Sequence, residues 1–207
     1  MGDPALQARK SPRQRRSRAA VEAIIEAAAR ILETEGPAGF NTNAVARRAG
    51  VSVGSLYQYF PGKQALIAEL SRRNAEAALS GLVEAAERTA GRPMLERLRA
   101  FVRFAIAQQA ERPRLSRVLD QLEEGLDLTT DARATTPAIL AVLAPVLAAD
   151  GAGSDGGAME SIAADCLALA RLLIDRALDA ASLDRSGLEN RVVGALAGYL
   201  AAAGLPL

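Results

Sequence analysis

Apolar residues recur three and four positions apart along most of this chain, and they do not alternate with polar ones. That spacing puts them on one face of a helix, whereas a half-buried strand needs a period of two. Val21, Ile24, Ile25, Ala28, Ile31 and Leu32 form the first such stripe, and β-branched residues are sparse throughout. The pattern predicts an all-α fold. Glycine and proline mark the breaks: Gly36-Pro37, Pro61-Gly62, Gly91-Arg92-Pro93, Pro113 and the glycine-rich segment Gly151–Gly157. They divide the chain into about nine helices.

The first four helices can be read closely. Helix one covers 18–35 and stops at Gly36-Pro37. Thr42 is placed to cap the second helix by offering its hydroxyl to free backbone N–H groups. Val45, Ala46 and Ala49 face inward, and Gly50 supplies the turn, where a left-handed backbone is easy. Ser52 caps a third short helix whose buried face is Leu56 and Phe60. Lys63 opens a fourth, striped by Leu66, Ile67 and Leu70, running to about Arg88. Later helices carry Leu95, Leu98, Phe101, Val102, Ala105 and Ile106, then Leu115, Val118, Leu119 and Leu122. Another, holding Pro137 and Pro145, runs toward Ala149. Two final helices cover 158–181 and 186–203.

Composition narrows the class. The 207 residues suit one large domain, or a small one joined to a larger. Residues 1–75 hold twelve Lys and Arg against six Asp and Glu, a net of +6, while the remainder has a net of −5. A basic head on an acidic body suggests a polyanion partner at one end only. Six of the ten residues from Arg9 to Arg18 are basic and none is acidic. Residues 1–17 read as a disordered basic segment, either a solvated tail or a nucleic-acid arm. Histidine is absent, which removes the commonest general base and metal ligand. The single cysteine, Cys166, forms no intrachain disulfide or cysteine-based zinc site. No metal or cofactor is expected, and an enzyme is disfavoured. No apolar signal-peptide core follows the basic N-terminus, and the longest apolar run, Ala138 to Ala149, is too short for a membrane span of about 20 residues. The expectation is a cytoplasmic protein without membrane association.

Four of the seven aromatic residues, Phe40, Tyr57, Tyr59 and Phe60, bracket the two short helices joined through Ala49-Gly50-Val51. That arrangement is a helix-turn-helix pattern, in which the second helix enters a DNA major groove while the first crosses the backbone. The second helix then needs small or polar residues outward near its N-terminus, and Val53, Gly54 and Ser55 meet that need. Tyr57 follows on the exposed side. Tyrosine hydroxyls bond phosphate while the ring packs on sugar or a thymine methyl. Lys63 adds charge at a helix start and is one of only two lysines beside 23 arginines. A compact three-helix packing motif with no DNA role is the competing reading.

Ala49-Gly50-Val51-Ser52-Val53-Gly54-Ser55-Leu56-Tyr57-Gln58-Tyr59-Phe60 with Lys63 resembles the DNA-binding signature of the TetR family of bacterial transcriptional regulators. The likeness covers about residues 18–70. It implies three N-terminal helices for DNA (18–64), after the basic arm (1–17), and a larger helical domain (65–207) for a small-molecule effector and dimerisation. It implies phosphate contacts from Thr42 and Asn43, a groove-facing set of Val53, Gly54, Ser55, Tyr57 and Gln58, and backbone contacts from Tyr59 and Lys63. Tyr57 and Tyr59 are both expected to point outward. With Val53 and Gly54 at the reading end, specificity is left to Tyr57, Gln58, the arm and DNA shape. The implied function is a ligand-responsive repressor released from a palindromic operator. The alternative is a helical ligand-binding or scaffold dimer without a DNA role.

The C-terminal two thirds offer less. Phe101, Phe104, Gln108, Leu119, Leu122 and Cys166 lie on helices that, by the resemblance, surround an effector; each also fits plain core. Arg103 and Arg171 suit either an anionic ligand or solvent. Ile162, Leu169 and Leu173, with Val192, Leu196 and Leu200, stripe the last two helices, which the resemblance assigns to a homodimer interface. Gly194 and Gly198, one turn apart, would permit close helix approach there.

Overall fold

The computed structural model describes residues 15–125, 135–148, 156–178 and 184–206. All the regular structure in them is helical: α1 (Arg15–Gly39), α2 (Thr42–Ala49), α3 (Val53–Tyr59), α4 (Lys63–Arg88), α5 (Met94–Glu111), α6 (Pro113–Gly125), α7 (Thr135–Ala148), α8 (Gly156–Leu178) and α9 (Arg185–Ala202). The residues expected to form the basic tail lie mostly outside the described part, as does most of the Gly151–Gly157 segment.

The breaks fall where glycine and proline demand them. Gly36 takes φ 67° and ψ −171°, which interrupts α1 and leaves a single separate turn after it. Pro93 precedes α5 and Pro113 opens α6, at positions where the missing N–H costs no helical bond. One expected cap is corrected. Asn41, not Thr42, caps α2: its Oδ1 accepts the Ala44 N–H at 2.9 Å. Thr42 is thereby the first helical residue, and its hydroxyl is free to turn elsewhere.

The chain divides into two compact units. The first comprises residues 1–75 and 114–134, the second 76–113 and 135–207. The division therefore differs from a boundary at residue 64. The α4 stripe of Leu66, Ile67 and Leu70 is buried in the head's core, so the first turns of α4 belong to the head. So does α6, whose Leu115 and Leu119 join that same core with Val118 and Leu122 packed against it. The head core is otherwise the α1 stripe with Phe40, Val45, Leu56, Tyr59 and Phe60. An ionic tie reinforces it: Arg73 on α4 grips Glu22 of α1 at 2.6 and 2.9 Å, and Glu69 at 2.8 Å. The hydrogen bond from Arg73 holds the Glu22 carboxyl below its usual range. At Glu69, burial pushes the carboxyl up, but hydrogen bonds from Arg72 and Arg73 outweigh it and the net direction is down.

The second unit packs α5, α7, α8 and α9 with the rest of α4. One cluster centres on Met94, Leu98, Val102, Met159, Ala163, Cys166, Ile174 and the buried face of α9. A smaller one joins Leu82 and Ala85 of α4 to Phe101, with Phe104, Ile139, Val142, Leu143 and Val146 against it. Arg97, buried among these helices, donates to the Val146 carbonyl in the last turn of α7, where a cation suits the helix dipole. Tyr199 of α9 donates its hydroxyl to the Asp165 carboxylate of α8.

Candidate nucleic-acid interface

The helix-turn-helix is built from a few decisive contacts. Gly50 sits at φ 69° and ψ 27°, left-handed, and closes α2 by donating to Arg47 O at 3.3 Å. Val51 N then donates to Ala46 O at 3.0 Å, completing a tight reversal. Ser52 starts α3 at once, its Oγ accepting the Ser55 N–H at 3.0 Å. Val45 and Leu56 are fully enclosed between the two helices and α1, and Phe60 seals the end of α3. The reversal is thus fixed by backbone bonds on one side and apolar packing on the other.

What this leaves outside is most of the set named from the sequence. Asn43, Val53, Gly54, Tyr57, Gln58 and Lys63 are exposed, and Thr42 and Ser55 are half-buried. Val53 and Tyr57 are two of the few exposed large hydrophobic residues among the described ones, at 38 % and 40 %. The Tyr57 hydroxyl lies 3.2 Å from Thr42 Oγ1, so the first residue of α2 and the middle of α3 present their hydroxyls together. Arg47 and Arg48, exposed in the last turn of α2, add charge that the sequence reading did not single out. Their i, i+1 placement in a short helix was the available signal.

Gly54 is informative for what does not surround it. A Cβ built there would meet only Ser52 Oγ, at 3.9 Å. Neither packing nor backbone angle requires glycine in the first turn of α3, and glycine weakens a helix interior by about 0.5–1 kcal/mol relative to alanine. The α3 backbone is left uncovered at this position.

Tyr59 departs from expectation. Its ring is 8 % exposed and belongs to the head core, because it follows Leu56 by three positions and shares its face. Only its hydroxyl reaches the rim, where it lies 2.8 Å from Ser17 Oγ. The expectation that it points outward beside Tyr57 is therefore corrected.

The remaining candidates scatter. Leu119 and Leu122 of α6 pack on the head core, whereas Phe101, Phe104 and Cys166 belong to clusters of the second unit. Gln108 is half-buried on α5. Cys166 is buried, and desolvation, with the Asp165 charge beside it, pushes its thiol up to about 11. Arg103 is engaged by Glu189 at 3.0 Å and Arg171 by Asp175 at 3.9 Å, so neither is reserved for an anionic ligand. Among the dimer candidates, Val192, Leu196 and Leu200 are buried in the protomer's own core and offer a partner almost nothing. Ile162, Leu169 and Leu173 are half-buried against the same core. Gly194 and Gly198 are exposed, with no atom within 4 Å of an added Cβ.

An all-helical chain with a helix-turn-helix head is the class these features define. The family model described as bacterial regulatory proteins of the tetR family matches residues 24–70. An uncharacterized HTH-type transcriptional regulator in the dhlA 5′ region of Xanthobacter autotrophicus is 29 % identical over 100 residues. That match covers 48 % of this chain and 50 % of the relative, so it spans about half the length of the curated protein. A candidate transcriptional regulator from Pseudomonas aeruginosa PAO1 shares the fold with a TM-score of 0.75, at 21 % identity over 92 % of both chains. The transcriptional regulator FadR from Bacillus subtilis, solved in complex with stearoyl-CoA, does so with a TM-score of 0.69, at 19 % identity over 85 % of this chain and 97 % of that one. The head thus matches the tetR-family model over residues 24–70, and the described helices share the fold of these regulators.

Proposed function

We propose that this protein is a homodimeric, ligand-responsive repressor of the cytoplasm, released from a palindromic operator when an effector binds its second unit. The observation that carries the DNA half is the outward face of α3: Gly54 without an internal reason, beside exposed Val53, Tyr57 and Gln58. A groove-seated helix needs that combination of bare backbone and short or amphipathic side chains. Thr42 and Tyr57 supply hydroxyls to phosphate, joined by Asn43 and Lys63, and Tyr57 and Gln58 carry the base reading.

Dimerisation is supported by α9. Gly194 and Gly198 lie one turn apart on its exposed side, with empty space above both. Each lowers helix propensity without serving the protomer's own packing. A second α9 laid there would explain them, and a two-fold dimer matches half-sites about 34 Å apart.

An apolar effector is the class that suits the second unit. Leu82, Ala85 and Phe101 pack with Phe104, Ile139, Val142 and Val146 in the second unit, and the FadR neighbour was solved with stearoyl-CoA. Because α4 contributes residues to both units, an effector that displaces its second half shifts its first half within the head. To move the dimer from 99:1 DNA-competent to the reverse, the effector must prefer the released state by about 5.5 kcal/mol. Gel-shift titration against the DNA upstream of its own coding sequence tests the reading. The wild type should bind, Tyr57→Ala should bind at least tenfold more weakly, and long-chain acyl-CoA should release the complex. Equal affinity for the variant would remove Tyr57 from the groove. Complete indifference to apolar ligands would remove the effector class.

A further inference from the structure

Residues 36–68 include α2, α3 and the start of α4, and they contain no Asp or Glu. Their three cations are Arg47, Arg48 and Lys63. Arg30, Arg72 and Arg73 of the same unit are tied to carboxylates, at 2.7 Å from Glu26, 2.8 Å from Glu69 and 2.6 Å from Glu22. Arg47 and Arg48 have no such partner among the described residues, and both are exposed. Both sit in the last turn of α2, where a cation complements the helix dipole. That role fits either residue equally, but their surroundings differ. At about 100° per residue, the order around α2 is Asn43, Arg47, Ala44, Arg48, Val45. Arg48 therefore stands between Ala44 and Val45, both buried in the head core, at 8 % and 0 %. Arg47 stands next to Asn43, four residues earlier and exposed. Arg47 is also rooted in the reversal itself, since its carbonyl accepts the Gly50 N–H that closes α2.

We propose that Arg47 is a DNA-phosphate contact that extends the Asn43 edge of α2 by one helical turn, about 6 Å, while Arg48 serves only the helix terminus. The inference rests on the DNA-binding reading of the head. It adds a guanidinium to a set that otherwise draws on hydroxyls, an amide and Lys63. A guanidinium suits phosphate because its planar fork of donors bonds two oxygens at once. The absence of carboxylates from residues 36–68 means that a phosphate reaching this edge meets no acid of α2 or α3. Phosphate contacts carry no base information. Arg47 therefore raises affinity on every sequence and leaves discrimination to Tyr57 and Gln58.

The test uses the full-length chain with two duplexes, one of random sequence and one from upstream of its own coding sequence. The readout is the slope of log affinity against log salt, about 0.9 per phosphate contacted. Arg47→Gln should lower the slope by about 0.9 for each subunit bound, equally on both duplexes. Between about 50 and 200 mM salt, that narrows the fall in affinity by about 3.5-fold per subunit. Arg48→Gln should lower the slope by less than about half as much, and Arg47→Lys, which keeps the charge, should leave it unchanged. Because both arginines serve the same helix end, the two glutamine variants should share one denaturation midpoint. Equal slopes for those two variants, whether both lowered or both unchanged, overturn the assignment. So does a loss confined to the upstream duplex, which would make Arg47 a base reader. A midpoint lowered only by Arg47→Gln would make Arg47 a structural residue and overturns the assignment too. Failure of the wild type to bind either duplex would overturn the DNA reading itself, a result distinguishable from failure of Arg47 alone.

Discussion

Replacing Gly54 with alanine should strengthen the fold and weaken the function. The stability term comes from the helix alone. An added Cβ meets one atom, Ser52 Oγ at 3.9 Å, which is ordinary van der Waals contact, so no clash opposes the change. Gly54 has no positive φ, so no backbone strain opposes it either. What remains is the gain from restricting the unfolded chain and improving helix propensity, about 0.5–1 kcal/mol and nearer the low end because Gly54 lies in the first turn. Chemical denaturation should show a higher midpoint with an unchanged slope. DNA affinity should move the other way. If the α3 backbone approaches base edges at this position, a methyl group there holds the helix off the groove. A tenfold loss corresponds to about 1.4 kcal/mol. The two signs are independent observables on one variant. A destabilised Gly54→Ala would show that the open space above α3 is misjudged. A stabilised variant with undiminished DNA affinity would show that glycine is not there for DNA.

Other substitutions separate further effects. Gly50 has the same empty surroundings but φ 69°, so Gly50→Ala should cost about 1–2 kcal/mol, with asparagine recovering part of the loss, measured by denaturation. Gly81 is the converse case: its added Cβ would lie 2.0 Å from Phe104 Cε2. Gly81→Ala should destabilise the wild type by up to about 2 kcal/mol yet stabilise a Phe104→Ala background by about 1 kcal/mol; the same sign in both backgrounds would refute the contact. Glu22 and Glu69 have lowered carboxyl pKa values, so their contribution is present above the ordinary carboxyl value of 4.5 and is lost as pH falls through the folded values. Arg73→Gln should flatten stability against pH between about 5 and 3, while leaving the profile above 6 nearly parallel to wild type. Cys166, buried with its thiol raised to about 11, should resist alkylation at neutral pH in the native state and react readily on unfolding; rapid native labelling would contradict its enclosed position.

The parts of this fold that could be read from the sequence are those decided locally. Gly36, Gly50, Ser52 and Pro93 act through their own backbone or the next turn, and each falls where expected. The cap at α2 slipped by one residue because Asn41 and Thr42 are both good caps, and only the chain's path from Phe40 chooses between them. For Tyr59 position outweighs the hydroxyl. Its spacing of three from Leu56 already placed it on the core face, and a buried tyrosine needs only one partner for its tip. Long-range allegiance was not legible at all. The α6 stripe of Leu115, Val118, Leu119 and Leu122 states that one face is covered, but not that the head covers it. Val192, Leu196 and Leu200 show the same limit: an apolar stripe reads alike whether a neighbouring helix of the same protomer or of another buries it. For α9 the informative residues were the exposed glycines on the other side.

Footprinting of the wild-type protein on its own upstream DNA tests the central claim most directly. The account predicts two protected major-groove segments on one face of the duplex, about 34 Å apart and related by two-fold symmetry. Protection should be lost from both segments together in Tyr57→Ala. Uniform protection along the fragment, or a single unpaired segment, would contradict a dimer that reads DNA through α3.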